Sequence, residues 1–524
     1  MHVYKKFVVP VLFILLLLIG FLLRSQMFLH GDFYYLLDQA RDMMLTQNIV
    51  IDHKLTLIGA RTGLGGLFHG ALWFYLITPF FIIAKGNPFF TLVPLFELVS
   101  LGIITVGFFI GKQLYGKWMG LLFAFFLTLS QILIQTVPNT TNSQVLPIIF
   151  LFYLYSVIKF MRGKEKYFIF VLFFAGLGFQ FESAFAILLI PLTLVAIILR
   201  WKLPTGKNTL LGAAAFLLAI ATFIIFDIRH HFLMISSALK LFTNHVKPLP
   251  GYEEYANIGF RITDRITQLW ISLFSPLFTP DRLTSALLLL IIILGIFYLC
   301  KNILHTKKIT LQNKEYLFIL IAPLIIFGSY IFYPLPLWPH YLLPISTLTV
   351  FILCLSIRTI WPHKPLRILI GIFFILTLYP ALAWIQTTYG AQQTYQPTSD
   401  GSYRNQVVVA QWVLADAHNK PYGYFVYTTG ILTYNMDYLL WYESYAQHLL
   451  PSSNHKHPIT YLIMYPHAAN DENAYAFWKK NVVRTTGKIL LTKTFASGIT
   501  VQKVQIAPNE QPADPNYYQN LLFR

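Results

Sequence analysis

Charged residues are scarce in this chain. Only 11% of its 524 residues are Asp, Glu, Lys or Arg, whereas about 25% is usual for a soluble domain. Hydrophobic residues make up 56% of the chain, and the mean hydropathy is +0.59. This composition excludes an ordinary soluble globular protein and predicts an α-helical polytopic membrane protein.

Cysteine and several familiar motifs are also nearly or wholly missing. The two cysteines, Cys300 and Cys354, lie within or at the ends of apolar segments, so they indicate neither a disulfide framework nor a cysteine-based metal site. The sequence contains no P-loop, no dinucleotide-binding fingerprint and no HExxH motif. A pump driven by its own nucleotide site is therefore excluded.

Acidic residues are outnumbered by basic ones, 21 to 39, which gives a net charge of +18. The basic residues occur mostly in short clusters between apolar segments, which is the positive-inside pattern of membrane proteins. We therefore expect anionic lipid headgroups, and not nucleic acid, to lie next to them. The clusters are at 112–117, 159–166, 200–207, 301–308 and 358–367.

The apolar segments predict about eleven membrane spans, the first of them uncleaved. They are 7–24, 90–111, 118–137, 144–160, 167–180, 183–200, 208–227, 284–301, 315–333, 341–358 and 366–386. Segment 70–84 is apolar as well, but the basic clusters fall on one side of the membrane only if it does not cross. We therefore interpret 70–84 as an interfacial or re-entrant helix.

This topology assigns 1–386 to a transmembrane catalytic domain whose first outer loop is 25–89. The residues from 387 to 524 become more polar and alternate like strands at 422–428, 459–464 and 488–494, with helix-like stretches near 403–418 and 434–449. They predict a small extracytoplasmic α/β domain. The expected location is the plasma membrane, with this domain and the outer loops outside the cell.

Polar residues that are unusual for a membrane protein gather in the predicted outer loops. Ionisable groups at a membrane-surface cavity often mark a functional site. Each residue also has a purely structural explanation. Glu182 could simply be solvated in a short turn, His340 could pack at the membrane interface, and Asp38 could merely pair with Arg41. The candidate residues are Asp32, Asp38, Arg41, Asp42, His69, Glu182, Arg229, His230, His340 and Tyr341.

The first outer loop contains an amphipathic helix with an acidic face. Leu36, Leu37, Ala40, Met43 and Met44 fall at helical spacing and form an apolar face. Asp38, Arg41 and Asp42 are at positions i, i+3 and i+4 and share the polar face. A glycine-containing loop and an aromatic helix follow.

This loop resembles the polyprenyl-phosphate-sugar-dependent glycosyltransferases of the GT-C superfamily, in particular the protein mannosyltransferase and lipid A aminoarabinose transferase group. Those proteins carry an acidic motif, a glycine-containing loop and an aromatic helix, in that order. The corresponding segments here are 38–42, 57–59 and 69–75. Gln39 stands where the family usually has a second acid, and Ala71 where it has proline. The resemblance places the family's catalytic acid at Asp38, or at Asp32 in a second register.

The resemblance implies transfer of a sugar from a polyprenyl-phosphate donor to an unknown extracytoplasmic acceptor by a single inverting displacement. The carboxylate of Asp38 or Asp32 would act as general base. The donor and its phosphate would be bound by Arg41, Asp42, His69, Glu182, Arg229, His230, His340 and Tyr341.

No cofactor is required for such a reaction, although a divalent metal is compatible with it, and membrane lipids are the expected surroundings. A lipid-linked oligosaccharide transferase or ligase is the alternative enzyme. A lipid or polysaccharide transporter is the non-enzymatic alternative, but transporters usually place their polar groups at mid-membrane, whereas here they gather at one edge.

Overall fold

The computed structural model describes residues 4–62, 65–243, 251–274, 282–306, 309–392, 397–429, 432–467 and 472–515. The chain forms two compact units, each assembled from separate stretches of sequence. Unit 1 comprises Met1–Ser25, Thr56–Trp73 and Phe96–Ala391, and unit 2 comprises Gln26–Leu55, Phe74–Leu95 and Gln392–Arg524. The assignment of roles to 1–386 and 387–524 stays a prediction.

The described residues are mostly helical, in line with the apolar composition. The α-helices, labelled in chain order, are α1 Tyr4–Arg24, α2 Leu37–Val50, α3 Leu72–Ile83, α4 Pro88–Tyr115, α5 Lys117–Leu129, α6 Gln131–Gln135, α7 Leu146–Met161, α8 Tyr167–Phe179, α9 Ser183–Ala186, α10 Leu189–Arg200, α11 Gly206–Ala219, α12 Ala221–Arg229, α13 Leu233–Thr243, α14 Ile258–Phe274, α15 Arg282–Thr306, α16 Leu311–Tyr330, α17 Leu343–Ile360, α18 Lys364–Gln392, α19 Tyr403–Ala417, α20 Tyr434–Ala446 and α21 Glu472–Trp478. The strands are β1 Ile58–Arg61, β2 Phe68–Gly70, β3 Gly423–Tyr427, β4 Ile459–Met464, β5 Lys488–Thr494 and β6 Thr500–Gln505.

Within the described residues, seven helical segments are long and apolar enough to cross a membrane: Phe7–Arg24, Pro88–Tyr115, Asn142–Met161, Ser183–Arg200, Leu283–Thr306, Leu311–Tyr330 and Pro339–Ile360. The pair α11 and α12 would make an eighth span, bent by 62°. The predicted polytopic helical fold is confirmed. Two predicted spans, 118–137 and 167–180, contain the shorter helices α5 and α8, and the predicted interfacial segment 70–84 contains the 12-residue α3.

Helix α17 is the central helix of unit 1. It contacts α5, α7, α15 and α16, and nearly all of its side chains are buried. A helix that is apolar on all sides is expected to lie inside a bundle. Helix α1, by contrast, exposes much of its apolar surface, as expected for a helix facing lipid.

One end of the bundle in unit 1 carries a network of charged and aromatic side chains. At one end, Arg162 Nε and Nη2 donate to the two carboxylate oxygens of Glu315 (2.7 and 2.9 Å), and Tyr115 Oη donates to Glu315 at 3.3 Å. Arg358 lies over the Tyr115 ring, 4.8 Å from its centroid. Because Arg162 follows the C-terminal end of α7, the polar turns near the start of α7 are at the opposite end.

Unit 2 contains a four-stranded sheet in the order β3-β4-β6-β5. Strands β3 and β4 are parallel, whereas β6 runs antiparallel to both of its neighbours, β4 and β5. The core of the sheet includes Phe425, Leu462 and Trp478, which are almost fully buried. Helix α19 packs against α20, and α20 packs against α2 of the first loop. The small C-terminal α/β fold predicted from the alternation is thus confirmed.

Candidate active site

Helix α2 carries the acidic motif of the first loop. Met43, Thr46 and Ile49 are buried on one face, and α2 packs against α20. Asp42 is buried on this same face, so the prediction that it lies on an exposed polar face with Asp38 is wrong. The main-chain N–H of Leu36 donates to Gln39 Oε1 at 3.2 Å, which satisfies a donor at the start of the helix. Gln39, which replaces the family's usual second acid, therefore caps α2.

Arg41 lies between two carboxylates of its own helix. Its Nη1 donates to Asp38 Oδ1 (2.5 Å), while Nε and Nη2 both donate to Asp42 Oδ1 (2.9 and 2.7 Å). The Asp38 side chain is 52% exposed, compared with 14% for Arg41 and 2% for Asp42. Burial by itself lowers the pKa of Arg41, but the charges of Asp42 and Asp38 outweigh that effect and raise it. The guanidinium is thus a permanent cation that holds a solvent-facing carboxylate.

Asp32 has a different environment from Asp38, because it is fully buried. Its Oδ2 accepts a hydrogen bond from Ser402 Oγ (2.7 Å), and its Oδ1 accepts from the main-chain N–H groups of Phe33 (2.9 Å) and Arg404 (3.2 Å). Ser402 is the N-cap residue of α19. Asp32 therefore supports the start of α19, where a carboxylate complements exposed N–H groups.

The segment that leads into α2 is fixed by side chains that the sequence did not single out. Gln406 Nε2 donates to the carbonyl oxygen of Tyr35 at 2.9 Å. Gln406 Oε1 in turn accepts from Asn435 Nδ2 (3.0 Å) and from Tyr465 Oη (3.0 Å). This buried network orients the backbone just before Asp38. Nothing local in the sequence marks Gln406, because its partners come from three separate elements.

In unit 1, Glu182 occupies the turn before α9 and is 2% exposed. Its Oε1 accepts from the main-chain N–H of Ala184 at 3.2 Å, so Glu182 is the N-cap residue of α9. Burial raises the pKa of Glu182 to about 8, although the hydrogen bond from Ala184 lowers it in part. Tyr330, Tyr333 and Tyr341 all lie within electrostatic reach of its carboxyl group.

His340 and Tyr341 lie in the 3-10 turn Pro339–Leu342, which contacts α9 and the turn Asn142–Val145. Their rings meet edge to face, with centroids 4.5 Å apart. His340 is exposed, whereas Tyr341 is half-buried. The structure therefore brings His340 and Tyr341 close to Glu182, although the three come from different predicted outer turns.

Arg265 on α14 was not predicted as a site residue, yet it holds the loop that leads to this turn. It is 1% exposed, and it donates to the main-chain oxygens of Tyr330 (3.2 Å), Tyr333 (3.2 Å) and Leu335 (2.7 Å). It also forms an ion pair with Asp264. These bonds satisfy carbonyl groups at and beyond the end of α16. On an amphipathic helix, no sequence pattern distinguishes this arginine from its exposed neighbours.

His69 lies on β2 of a short hairpin in which Ile58 pairs with Gly70. The hairpin requires glycine at close contacts: a Cβ on Gly59 would lie 2.3 Å from the Gly70 carbonyl oxygen, and one on Gly70 would lie 2.2 Å from Gln180 Oε1. Gln180 is anchored through Nε2 to the Ala219 oxygen at 2.9 Å. The hairpin with His69 therefore packs against the end of α8, two residues before Glu182.

Arg229 and His230 end α12 and are exposed. The His230 ring stacks on Phe226 with centroids 4.0 Å apart, and its Nδ1 lies 2.8 Å from the Phe226 oxygen. Phe226 contacts Phe68 of β2, with ring centroids 5.5 Å apart, so α12 lies beside the hairpin. Arg229 and His230 therefore lie near the hairpin that carries His69. No contact between either of them and Glu182 is observed among the described residues.

Among the described residues, no group of three or more His, Cys, Asp or Glu side chains could hold a metal ion. Asp38 and Asp42 both bind the guanidinium of Arg41. A cation of the protein itself thus lies between these two carboxylates.

Residues 69–226 match the family model described as dolichyl-phosphate-mannose-protein mannosyltransferase. This match covers less than half of the chain; it includes His69 and Glu182 but begins after Asp32, Asp38 and Arg41. No curated protein sequence is significantly similar to the chain.

Several solved structures have a similar fold. The oligosaccharyltransferase of Archaeoglobus fulgidus, in complex with Zn and sulfate, is 13% identical with a TM-score of 0.51, and the alignment covers 97% of this chain and 76% of that one. ArnT from Cupriavidus metallidurans bound to undecaprenyl phosphate is 10% identical with a TM-score of 0.44, covering 94% and 97%. AglB from Archaeoglobus fulgidus, in complex with an inhibitory peptide and a dolichol-phosphate, is 13% identical with a TM-score of 0.48, covering 99% and 77%.

Identities this low show similarity of fold only. The fold shared with the oligosaccharyltransferase is that of the GT-C superfamily, and the matched family model belongs to the same superfamily. The mannosyltransferase match concerns residues 69–226, and the similarity of fold covers 97% of the chain. Together they confirm the resemblance of this polytopic membrane protein to the GT-C glycosyltransferases.

Proposed function

We propose that this protein is a membrane glycosyltransferase that moves a sugar from a polyprenyl-phosphate donor to an extracytoplasmic acceptor. The observation that carries the proposal is the pairing of an exposed carboxylate, Asp38, with a fixed cation, Arg41, at 2.5 Å. The matched family model, whose description names a dolichyl-phosphate sugar, supports this class of donor. Asp38 is the general base of the proposed reaction.

The proposed reaction is a single displacement with inversion at the anomeric carbon. The acceptor hydroxyl oxygen attacks this carbon while its proton passes to an Asp38 carboxylate oxygen. The bond between the anomeric carbon and the phosphate oxygen breaks, and polyprenyl phosphate leaves with the bonding electron pair. A positioned base of this kind contributes a rate factor of about 10²–10⁴.

The environments of the two acids favour Asp38 over Asp32 as the base. Asp38 is half-exposed and its Oδ1 is bound by Arg41. Among the described residues no hydrogen bond to its other oxygen is observed, which suits an oxygen that accepts a substrate proton. Asp32 is fully buried and accepts hydrogen bonds on both oxygens from groups at the start of α19. A carboxylate occupied in this way would have to break those bonds before it could accept a proton.

The donor phosphate needs cations or hydrogen-bond donors. His340 is exposed beside the half-buried Tyr341 at the start of a span, which suits a lipid-linked phosphate. Arg229 and His230 are exposed beside the hairpin of His69 and form the second set of candidates. Arg41 is less suited, because all three of its donor nitrogens are bound by Asp38 and Asp42.

A donor panel tests this proposal. Purified protein in lipid nanodiscs would be incubated with radiolabelled polyprenyl-phosphate sugars and a crude extracytoplasmic acceptor fraction. We expect at least one donor to be consumed, with release of polyprenyl phosphate, and Asp38→Asn to abolish most of that release. Asp52→Asn is the matched control, because Asp52 is exposed in the same loop and pairs only weakly, at 3.5 Å, with Lys54. A panel with no turnover by the wild-type protein would contradict the proposal.

A further inference from the structure

Helix α14 of unit 1 turns its charged residues towards the protein. Arg265 is 1% exposed, and the side chain of Asp264, which forms an ion pair with it, is 17% exposed. Arg261, the remaining charged residue of the helix, is half-buried. A helix at a water-facing surface carries its charged residues on the outer face. In α14 this arrangement is reversed.

The exposed face of α14 contains no charged residue. Ile262, Ile266 and Trp270 are all exposed, Ile266 by 63%, and they follow one another at four-residue spacing on one side of the helix. Thr263 and Thr267 lie beside them, and each hydroxyl donates to the main-chain oxygen four residues earlier (3.2 and 3.0 Å). The backbone of the helix itself therefore satisfies these hydroxyls. Internal satisfaction of this kind is what a surface without access to water requires.

Arg265 fixes α14 to the end of a span. It donates to the main-chain oxygens of Tyr330, Tyr333 and Leu335, and α16, which ends at Tyr330, is long and apolar enough to cross the membrane. Because the end of a span lies near the membrane surface, α14 lies at that depth. Its 17 residues measure about 25 Å, which is less than the hydrocarbon thickness of about 30 Å, and its three charged residues also oppose a crossing.

Exposed apolar side chains also occur on the segments to which α14 is attached. Leu324 on α16 is exposed, and Phe332, in the loop that Arg265 holds, is 78% exposed. Trp338 follows in the same loop; it is exposed, and its ring lies 6.2 Å from that of Tyr252. Trp and Tyr are enriched where a membrane meets water. The exposed face of α14 therefore continues the lipid-facing surface of a span and of its aromatic end.

We propose that the exposed face of α14, formed by Ile262, Ile266 and Trp270, is embedded in the lipid of the bilayer at the membrane surface. An uncharged apolar face of this kind is unfavourable in water, and lipid removes it from water. The segment 228–283 was expected to be a loop outside the membrane, and α14 is then its membrane-bound part. The charged side of α14 binds the loop that precedes His340, so the helix attaches this loop to the membrane. Contact with lipid requires no sugar transfer, and this role therefore goes beyond the proposed reaction.

Spin labels on single cysteines test this contact in the full chain. Cys300 is exposed and is first replaced by Ser, whereas Cys354 is fully buried and out of reach of the labelling reagent. Ile266→Cys places a label on the exposed face of α14, and Thr267→Cys labels the same face independently.

Ile489→Cys is the matched control. Ile489 is also an exposed isoleucine (49%), but it lies on β5, every residue of which is exposed and which carries Lys488 and Lys493. Two lysines on one exposed strand are typical of a surface in contact with water.

The labelled proteins are placed in lipid nanodiscs, and the collision rates of each label with two relaxing agents are measured. Oxygen concentrates in lipid, whereas a neutral nickel chelate stays in water. We expect the labels at positions 266 and 267 to collide with oxygen and to lose most of the collisions with nickel that the label at 489 shows. The label at 489 should collide freely with nickel.

Three outcomes overturn the lipid contact. Nickel collisions at 266 and 267 as frequent as at 489 would place the exposed face of α14 in water. Low collision rates with both agents would mean that protein covers this face, either a second copy of the chain or another part of the same chain. Loss of oxygen collisions only after undecaprenyl phosphate is added would assign the face to the chain of that lipid and not to the bilayer. None of these measurements involves turnover, so each result leaves the proposed glycosyltransferase to its own test.

Discussion

Asp32 and Ser402 lie 370 positions apart in the sequence, and Ser402 Oγ donates a 2.7 Å hydrogen bond to Asp32 Oδ2. Two main-chain bonds flank this contact, from Tyr35 N–H to the Gly401 oxygen (2.9 Å) and from Tyr403 N–H to the Phe33 oxygen (3.0 Å). The segment before the acidic helix is therefore paired with the segment that begins α19. In unit 2, the conformation of this part of the first loop therefore depends on residues 401–403, which are distant from it in the sequence.

Because of this hydrogen bond, we expect Asp32→Asn to lower the stability of the fold but not the rate of sugar transfer. The amide can accept hydrogen bonds on only one of its two heavy atoms, so support for the start of α19 is weakened. We expect a loss of about 1 kcal/mol, the usual value of a capping interaction, with nearly unchanged transfer per folded molecule. Thermal unfolding in nanodiscs and the donor assay measure the two quantities. An inactive variant with wild-type stability would instead make Asp32 the base.

Arg41 should matter to both folding and activity. Arg41→Gln leaves Asp42, whose side chain is only 2% exposed, without its cation. We expect destabilisation of up to about 3 kcal/mol, because breaking a buried ion pair leaves an uncompensated charge. Adding Asp42→Asn to this variant should recover part of the lost stability but not the orientation of Asp38. Chemical denaturation of the two single variants and the double variant measures this coupling between Arg41 and Asp42. A stability loss in the double variant equal to the sum of the two single losses would contradict it.

The apolar pattern predicted much of this fold, but it missed what depends on distant contacts. Among the described residues, seven or eight of the eleven predicted spans are present, and they follow from local hydropathy. Strands β3, β4 and β5 and the helix α2 follow from local periodicity. Ser130, which is extended (φ −62°, ψ 110°) and separates α5 from α6, lies inside a segment that hydropathy alone predicts as one span. Strand β6 was not predicted, because Gln502 and Lys503 interrupt its apolar residues.

In the candidate site, too, the sequence indicated the residues but not the contacts between distant parts of the chain. Glu182, His340 and Tyr341 were selected because they lie in or next to predicted outer turns, and they lie close together in unit 1. The partner of Asp32 and the role of Arg265 depend on tertiary contacts, and neither has a local signal in the sequence. The roles assigned to these residues in catalysis and donor binding stay predictions.

Glu182 should make stability depend on pH. Its pKa rises to about 8 through burial, so the folded protein holds this proton more tightly than the unfolded chain, where the value is about 4.3. The stability it contributes is complete at low pH and is lost as pH rises towards about 8. Of the neighbouring groups, Tyr330, Tyr333, Tyr341 and Arg265 are of types that do not normally titrate in this range. His340 in the nearby turn is of a type that does, but it is present in both the wild type and Glu182→Gln, so the difference between the two slopes reports on Glu182. Melting temperatures from pH 5 to 9 should fall for the wild type and fall less for Glu182→Gln; identical slopes would contradict the assignment.

The orientation of the protein in the membrane is open to a direct measurement. The basic clusters predict a cytoplasmic N-terminus and an external segment after residue 386. A phosphatase fused after Gln386 should therefore be active outside the cell, and a cytoplasmic reporter at the same position should be inactive. The reverse pattern would mean that 70–84 crosses the membrane and that the outer loops have been placed on the wrong side.

The most direct test of the account is the activity of Asp38→Asn in the donor-dependent assay, measured beside Asp52→Asn and Asp32→Asn. Asn nearly matches Asp in size, and Asp38 is half-exposed, so expression and melting temperature should change little. If Asp38 is the general base, its variant should lose about 10²–10⁴-fold in transfer rate, while Asp52→Asn and Asp32→Asn retain most of theirs. Full activity of Asp38→Asn would contradict the proposed catalytic role, and full activity of all three variants would remove the main support for the glycosyltransferase itself.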